Sequence, residues 1–106
     1  MSFSATLTID GSTALLTLQG ELDATTAATF FAQVSEAAAG GPSRLVLIMD
    51  ELAYMSSAGL RGLVFARQKM GEGVEIVVAG ANKSVAQTIR LTGFDQSVVM
   101  SERYLA

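Results

Sequence analysis

The feature that most constrains the fold is an uninterrupted apolar run, Leu-Val-Leu-Ile-Met, at residues 45–49. Gly40-Gly41-Pro42 stands shortly before it and interrupts any preceding regular structure. A short apolar run without polar alternation is typical of a buried strand with both faces covered. We therefore expect this segment to be the central strand of a sheet, with the other elements packed around it.

The N-terminal part of the chain predicts a β-hairpin. Polar and apolar residues alternate over residues 6–9 and again over residues 13–18, which is the pattern of half-buried strands. Asp10-Gly11 lies between the two segments and is a strong turn signal. We expect two antiparallel strands, the second of which ends at Gly20.

A first helix is predicted between this hairpin and the central strand. Phe30, Val34 and Ala37 recur at helical spacing, and Gly40-Gly41-Pro42 would end the helix. Asp23 or Thr25 is expected to cap its start, since both residue types are favoured at that position.

A loop over residues 50–55 and a second helix over residues 57–70 are predicted after the central strand. The apolar side of this helix would carry Leu60, Leu63, Val64 and Met70, and the other side Arg61, Phe65, Gln68 and Lys69. Arg67 falls on the apolar side. We explain it by an aliphatic stem that covers apolar surface while the charged end reaches water.

A third helix is predicted near the C-terminus. Asn82 or Ser84 would cap it, and Gly93 would stop it. The expected apolar residues of this helix are Val85, Ile89 and Leu91.

The remaining segments predict two further strands, a buried one at residues 74–79 and a short one at residues 97–100. The element order is then β-β-α-β-α-β-α-β over a single domain, residues 1–106. An antiparallel hairpin followed by strand–helix alternation predicts an α/β fold: a mixed β-sheet flanked by helices.

Composition excludes most catalytic chemistry. The chain has no histidine and no cysteine. It can therefore form neither a serine or cysteine triad nor a histidine or thiolate metal site. An enzyme that uses only carboxylates and hydroxyls stays open as a hypothesis, but the ten Asp and Glu residues show no convergent pair. We expect no catalytic residue, no cofactor and no metal.

Charge and hydropathy bear on partners and location. The formal net charge is −3 and no basic run is present, which argues against nucleic acid and anionic membrane as ligands. No apolar stretch is long enough to span a bilayer. The N-terminus lacks the basic flank and apolar core of a signal peptide, so we expect a cytoplasmic protein.

Three short motifs carry a family resemblance. They are Tyr-Met-Ser-Ser-Ala-Gly-Leu at residues 54–60, Gly-Glu-Leu-Asp at residues 20–23 and Leu-Thr-Gly-Phe-Asp at residues 91–95. Together they span nearly the whole chain. In these motifs the chain resembles the bacterial STAS domain of the anti-sigma-factor antagonist type, also called anti-anti-sigma factors.

The resemblance implies a partner switch. The unmodified protein would bind an anti-sigma factor that is also a serine kinase, and so free the sigma factor for transcription. The kinase would phosphorylate the antagonist on Ser57, with Ser56 as second choice, and the complex would dissociate. A metal-dependent serine phosphatase would reverse the modification. Ser56 and Ile48 stand where many family members carry Asp, and Ala58 stands where many carry Ser or Thr.

The position of Ser57 also suits a phosphate on physical grounds. Free N–H groups and the helix dipole favour an anion at a helix N-terminus. The alternative interpretation of Ser56-Ser57 is an ordinary helix cap without regulation.

The expected partner-binding residues surround this acceptor. They are Glu21, Asp23, Met55, Ser56, Ser57, Ala58, Gly59, Arg61 and Phe65. Asp23 could equally be a helix cap alone. Phe65 is either an outward anchor of the interface or a residue covered by a neighbouring loop.

A different class of function also stays open. Some STAS proteins are constitutive interaction subunits of membrane-associated transport or sensory assemblies and do not cycle through phosphorylation. For either function we expect no direct membrane binding and a monomer when free.

Overall fold

The computed structural model describes residues 3–104, which form five strands and three helices in the predicted order. The strands are β1 (Ser4–Asp10), β2 (Thr13–Leu22), β3 (Arg44–Met55), β4 (Glu75–Ala79) and β5 (Val99–Ser101). The helices are α1 (Ala27–Ala39), α2 (Ser57–Met70) and α3 (Lys83–Leu91), and a short 3-10 helix, Phe94–Ser97, precedes β5. The predicted α/β fold is thus confirmed.

The strands form one mixed sheet in the order β1-β2-β3-β4-β5. β1 is antiparallel to β2, and the other neighbours are parallel. Right-handed crossovers that advance in one direction across a sheet place their helices on the same face. Accordingly, the buried side chains of α1, α2 and α3 share one core with alternate strand residues such as Leu16, Leu47 and Val78.

The apolar run at residues 45–49 lies in β3, the third of the five strands, as predicted. Leu45 and Leu47 are fully buried in the core beneath the helices. The expectation that both faces are covered holds only in part. The helices cover one face, and on the opposite face Val46 is buried whereas Ile48 is half-buried.

The predicted loop at residues 50–55 is wrong, because β3 continues to Met55. β2 also continues beyond Gly20 to Leu22, and the two strand ends pair in parallel. Asp50 and Glu51 are strand residues with exposed side chains. Exposed charged residues are also common in loops, and this explains the wrong prediction. This extension carries the end of β2 to the start of α2.

The hairpin turn is the predicted one. Asp10 pairs with Thr13, which leaves Gly11 and Ser12 as a two-residue loop. Gly11 has a φ of 62°, in the left-handed region that a tight type II′ turn requires at its first loop position.

The predicted sides of α2 need correction. Leu63 is buried as expected, but Val64 is exposed and Phe65 is half-buried. The ring of Phe65 packs on that of Phe31, with ring centroids 4.6 Å apart. The physical reason is that α2 packs against α1 as well as against the sheet, so it buries a second stripe of side chains.

We expected the charged end of Arg67 to reach water, but in the structure it binds backbone carbonyl groups. Its guanidinium donates to the backbone carbonyls of Gly71 and Val74, each at 3.0 Å. It therefore bridges the turn between α2 and β4 by bonding to carbonyl groups that lie beyond the last residue of the helix.

The third helix is capped by Asn82, whose side chain accepts from the backbone N–H of Val85. Val85 and Ile89 are buried as predicted, but Leu91 is 78% exposed. Leu91 follows Ile89 by two residues, and a helix turns about 200° over that distance. The final strand begins later than predicted because the 3-10 helix includes Ser97.

The contact between α1 and α2 should be the part of the helix layer most sensitive to added volume. A Cβ at Gly62 would lie 2.9 Å from Cδ2 of Phe30 and 3.2 Å from Cε1 of Phe31. We expect Gly62→Val to lower the free energy of unfolding by about 2–3 kcal/mol through overpacking. Gly73→Val is the control, since a Cβ at Gly73 meets nothing within 4 Å. Urea denaturation of both variants measures the difference, and equal stabilities would contradict this packing.

Candidate functional site

The candidate site lies where the parallel strands β2 and β3 end together. Leu22, the last residue of β2, pairs with Met55, the last residue of β3. The backbone N–H of Ser56 donates to the carbonyl of Leu22 at 2.9 Å. Because this bond joins the two chain segments directly, residues 20–23 lie beside the start of α2.

Gly59 makes this close approach possible. A Cβ at this position would lie 2.7 Å from the carbonyl oxygen of Leu22 and 3.0 Å from the side chains of Leu22 and Met55. A backbone oxygen cannot move aside as the end of a flexible side chain can. Gly59 and Met55 are both buried, so they shape the site and offer almost no surface to a partner.

The two serines of the motif occupy different environments. Ser56 is the N-cap of α2, and its hydroxyl accepts from the backbone N–H of Gly59 at 3.3 Å. Ser57 is the first helical residue and is exposed. Within residues 3–104, no hydrogen bond is found for the Ser57 hydroxyl. The cap and the exposed hydroxyl are thus separate side chains, so a serine cap and a modifiable serine can coexist here.

Asp23 anchors the neighbouring turn but does not cap α1. Its Oδ1 accepts from the backbone N–H of Thr25 at 2.9 Å and from the Thr25 hydroxyl at 2.7 Å. The N-cap of α1 is Thr26, which makes no side-chain cap bond. The Thr26 hydroxyl instead donates to the carbonyl of Glu21 at 2.9 Å. Both predicted caps, Asp23 and Thr25, are therefore wrong, because this turn uses them before the helix begins.

These hydrogen bonds change the acidity of Asp23. The bond from the Thr25 hydroxyl is the largest influence and holds the pKa of Asp23 below its ordinary value of 3.8. Backbone N–H groups of Thr25 and Thr26 act in the same direction, whereas desolvation opposes them. Hydrogen bonds that favour the charged form explain the sign. Asp23 is consequently a fixed negative charge beside the start of α2.

The structure brings most of the predicted residues together. Glu21, Ser57 and Arg61 are exposed, and Asp23, Ser56 and Ala58 are partly exposed. Phe65 lies two turns further along α2 and is half-buried against Phe31 of α1, so it is covered by a helix and not by a loop, and its partner contact stays a prediction.

Sequence reasoning missed Tyr54. It pairs with Glu21 across the ends of β2 and β3, and its side chain is 47% exposed. Strand alternation gives no reliable signal for it, because Leu52 and Met55, three residues apart, both lie in the core and the pairing with β2 shifts register between Gly20 and Glu21. We call Glu21, Asp23, Tyr54, Ser57 and Arg61 the strand-end surface. It offers one aromatic ring, one hydroxyl and charges of both signs.

Two properties of the described residues bear on other kinds of site. Within residues 3–104, no group of three or more Asp and Glu side chains is placed to hold a metal ion. No helix in the same range is long and apolar enough to cross a membrane.

The start of α2 thus carries an exposed serine, and exposed or half-buried acidic and aromatic residues stand at the neighbouring strand ends and turn. The fold class is therefore a small α/β domain with a mixed five-stranded sheet and three helices within residues 3–104. The chain belongs to the STAS domain family, whose sequence pattern matches residues 4–104.

Relatives within that family are similar along most of the chain. The chain is 28% identical over 96 residues to the anti-sigma-F factor antagonist RsfB of Mycobacterium tuberculosis. This match covers 91% of the chain and 79% of RsfB.

Solved structures show the same fold. An anti-sigma factor antagonist from Mycobacterium paratuberculosis superposes with a TM-score of 0.88 at 22% identity, over 95% of this chain and 86% of that one. The anti-sigma factor antagonist SpoIIAA in its unphosphorylated form gives 0.73 at 17% identity, over 97% and 90%. The phosphorylated form of the Bacillus protein SpoIIAA gives 0.70 at 16% identity, over 93% and 90%.

The separate roles of the two serines can be tested by stability. We expect Ser56→Ala to lower the free energy of unfolding by about 1 kcal/mol, because the helix loses its cap. Ser57→Ala should change it by less than about 0.5 kcal/mol, because no hydrogen bond is lost. Urea denaturation at neutral pH compares them. A larger loss for Ser57→Ala would contradict the assignment.

The lowered pKa of Asp23 gives a pH prediction. The stabilising contribution of this carboxylate is present above its unfolded-state pKa and is lost as pH falls through the lower folded-state value, so the loss begins below about pH 4. NMR titration of the Asp23 carboxyl should show the lowered pKa, and Thr25→Val should raise it. Thr29→Val, on the exposed side of α1, is the control and should leave the pKa unchanged. A pKa indifferent to Thr25→Val would contradict the proposed cause.

Proposed function

We propose that this protein is an anti-sigma-factor antagonist that acts in a partner switch and is phosphorylated on Ser57. The observation that carries the proposal is the exposed Ser57 hydroxyl at the first position of α2, next to a serine that already serves as the cap. The similarity to RsfB, an anti-sigma-F factor antagonist, supports the same function. The unmodified protein binds an anti-sigma factor that is also a serine kinase, and thereby frees a sigma factor.

Ser57 is a better acceptor than Ser56 for two physical reasons. A kinase must reach the hydroxyl oxygen, and Ser57 is exposed. Phosphorylation of Ser56 would turn the oxygen that accepts from Gly59 into an ester oxygen, a weaker acceptor, and would place the phosphate at the cap contact itself. Modification of Ser57 breaks no hydrogen bond within residues 3–104, so the domain can carry the phosphate while folded.

The partner binds over the strand-end surface. Tyr54 is the apolar anchor, since large aromatic side chains commonly dominate interface energetics. Glu21 pairs with it across the strand ends, Asp23 follows in the next turn, and both carboxylates suit a basic group on the partner. Residues 20–23 are held by the Thr26 hydroxyl and the Asp23 carboxylate, so little of their conformational freedom is lost on binding.

Phosphorylation at Ser57 releases the partner by local electrostatics. A phosphate adds a charge of about −1.5 to −2 at pH 7 beside the carboxylates of this surface. Repulsion and desolvation that cost about 2–3 kcal/mol would weaken binding about 30- to 150-fold. A metal-dependent serine phosphatase restores the binding form. In this scheme the protein is a cytoplasmic binding module and substrate, and it performs no catalysis itself.

The test begins with the intact mass of the protein from its native cells, followed by peptide fragmentation to map the modified residue. We expect one phosphate on Ser57. The unmodified protein is then used to isolate the kinase, and calorimetry compares Ser57→Asp with Ser57→Ala. Ser57→Asp should weaken binding at least about 30-fold, as the charge argument requires, whereas Ser57→Ala should bind normally and accept no phosphate.

Ser56→Ala is the matched control and should still accept phosphate on Ser57. Full phosphorylation of Ser57→Ala by the kinase would refute the assignment of the acceptor. Unchanged binding of Ser57→Asp, together with copurification with a membrane complex, would instead support a constitutive subunit of a transport or sensory assembly.

A further inference from the structure

The outer edge of β1 is a free sheet edge. β1 is the terminal strand of the sheet, and none of the residues 3–104 pairs with its outer side. A free edge presents unpaired N–H and C=O groups that can add another strand, and proteins usually block it with lysine, proline or a bulge. β1 contains none of these, and its pairing with β2 runs without interruption over seven residues.

The backbone groups that point outward can be assigned. In a hairpin with a two-residue loop, the residues that flank the loop exchange the first pair of hydrogen bonds, here Asp10 and Thr13. Every second residue of β1 then bonds to β2. The intervening residues, Ala5, Leu7 and Ile9, direct their N–H and C=O groups to the free edge.

The side chains of β1 are compatible with a copy of the same strand. In an antiparallel pair centred on Leu7, Leu7 lies opposite its symmetry mate and Ala5 lies opposite Ile9. Ile9 is 59% exposed in the single chain, so this pairing covers an exposed apolar residue. On the other face, Thr6 lies opposite Thr8. No like charges meet, because Asp10 lies opposite Ser4.

We propose that the protein forms a homodimer through antiparallel pairing of two β1 strands about Leu7. Both sheets join into one continuous sheet with about six new backbone hydrogen bonds, two from each of three paired positions. Helices lie on the same face in both subunits, since opposite residues in an antiparallel pair point to the same side. The inference stands on the edge geometry and does not depend on the proposed function.

A single strand edge is a small contact. It therefore gives a concentration-dependent equilibrium between monomer and dimer, not a permanent dimer. The two-fold axis passes through the middle of β1, which is distant from the ends of β2 and β3. The strand-end surfaces of the two subunits consequently face in opposite directions, and both stay open to partners.

Sedimentation equilibrium between about 10 µM and 1 mM tests the association, because weak interfaces dissociate in this range. We expect the average mass to rise with concentration above the 11.1 kDa of one chain. A constant mass of 11.1 kDa over the whole range would refute the dimer.

Ala5→Pro blocks the edge with little effect on the hairpin, because it removes an outward N–H and proline is tolerated on edge strands. It should raise the dissociation constant of the dimer at least about tenfold. Val99→Lys changes the opposite edge of the sheet, β5, and should leave the association unchanged. If Val99→Lys weakened the association and Ala5→Pro did not, the contact would lie on β5 and the proposal would be overturned. Circular dichroism shows whether both variants fold.

Disulfide cross-linking tests the register and does not depend on Ala5→Pro folding. The chain has no cysteine, so introduced thiols have no competitor. In the proposed register the Cα atoms of Thr6 and the partner's Thr8 are about 4.5 Å apart, within disulfide range. The double variant Thr6→Cys, Thr8→Cys should form covalent dimers on oxidation, while each single variant should not, since like positions are about 7–8 Å apart. Equal cross-linking of a single variant would refute this register.

Discussion

The candidate site depends on one contact, the backbone hydrogen bond from Ser56 to the carbonyl of Leu22. It joins the end of β2 to the start of α2, two segments separated by a helix and a strand in sequence. The contact is possible only because Gly59 has no Cβ to collide with that carbonyl. Glu21, Asp23 and Tyr54 thereby stand at or just after the ends of β2 and β3, next to the start of α2 that carries Ser57. Gly59 thus acts through packing, and its place in the motif needs no direct contact with a partner.

Much of the fold followed from residue patterns. The apolar run at residues 45–49 identified the central strand, and Asp10-Gly11 identified the hairpin. The errors in α2 and at the end of β3 arose because the hydrophobic pattern of one element does not show which other elements pack against it. Phe65 is half-buried against α1, an element that the periodicity of α2 cannot reveal. The second half of β3 begins with the charged residues Asp50 and Glu51, so its strand character shows only in its pairing with β2.

The site was less predictable than the fold for the same reason. The motif indicated Ser57 as the acceptor through a family resemblance. Only the hydrogen bond from Gly59 to the Ser56 hydroxyl shows that Ser56 caps the helix and that the Ser57 hydroxyl is the one left without a bond within residues 3–104. Likewise, Asp23 suits a helix cap by composition, yet its carboxylate is occupied by Thr25 in the preceding turn. Such choices between neighbouring side chains depend on backbone geometry that sequence does not specify.

The arrangement of charges explains how the proposed switch can act without refolding the domain. The Ser57 hydroxyl forms no hydrogen bond within the described range, so a phosphate there breaks nothing that holds α2 to β2. The helix N-terminus partly offsets the new charge, and Arg61 lies one turn further along on the same side of α2. The free protein can therefore accommodate the phosphate. A partner that has excluded water from the strand-end surface cannot, because there the phosphate loses its solvation and faces the fixed carboxylate of Asp23. The cost thus falls on the complex, and dissociation relieves it.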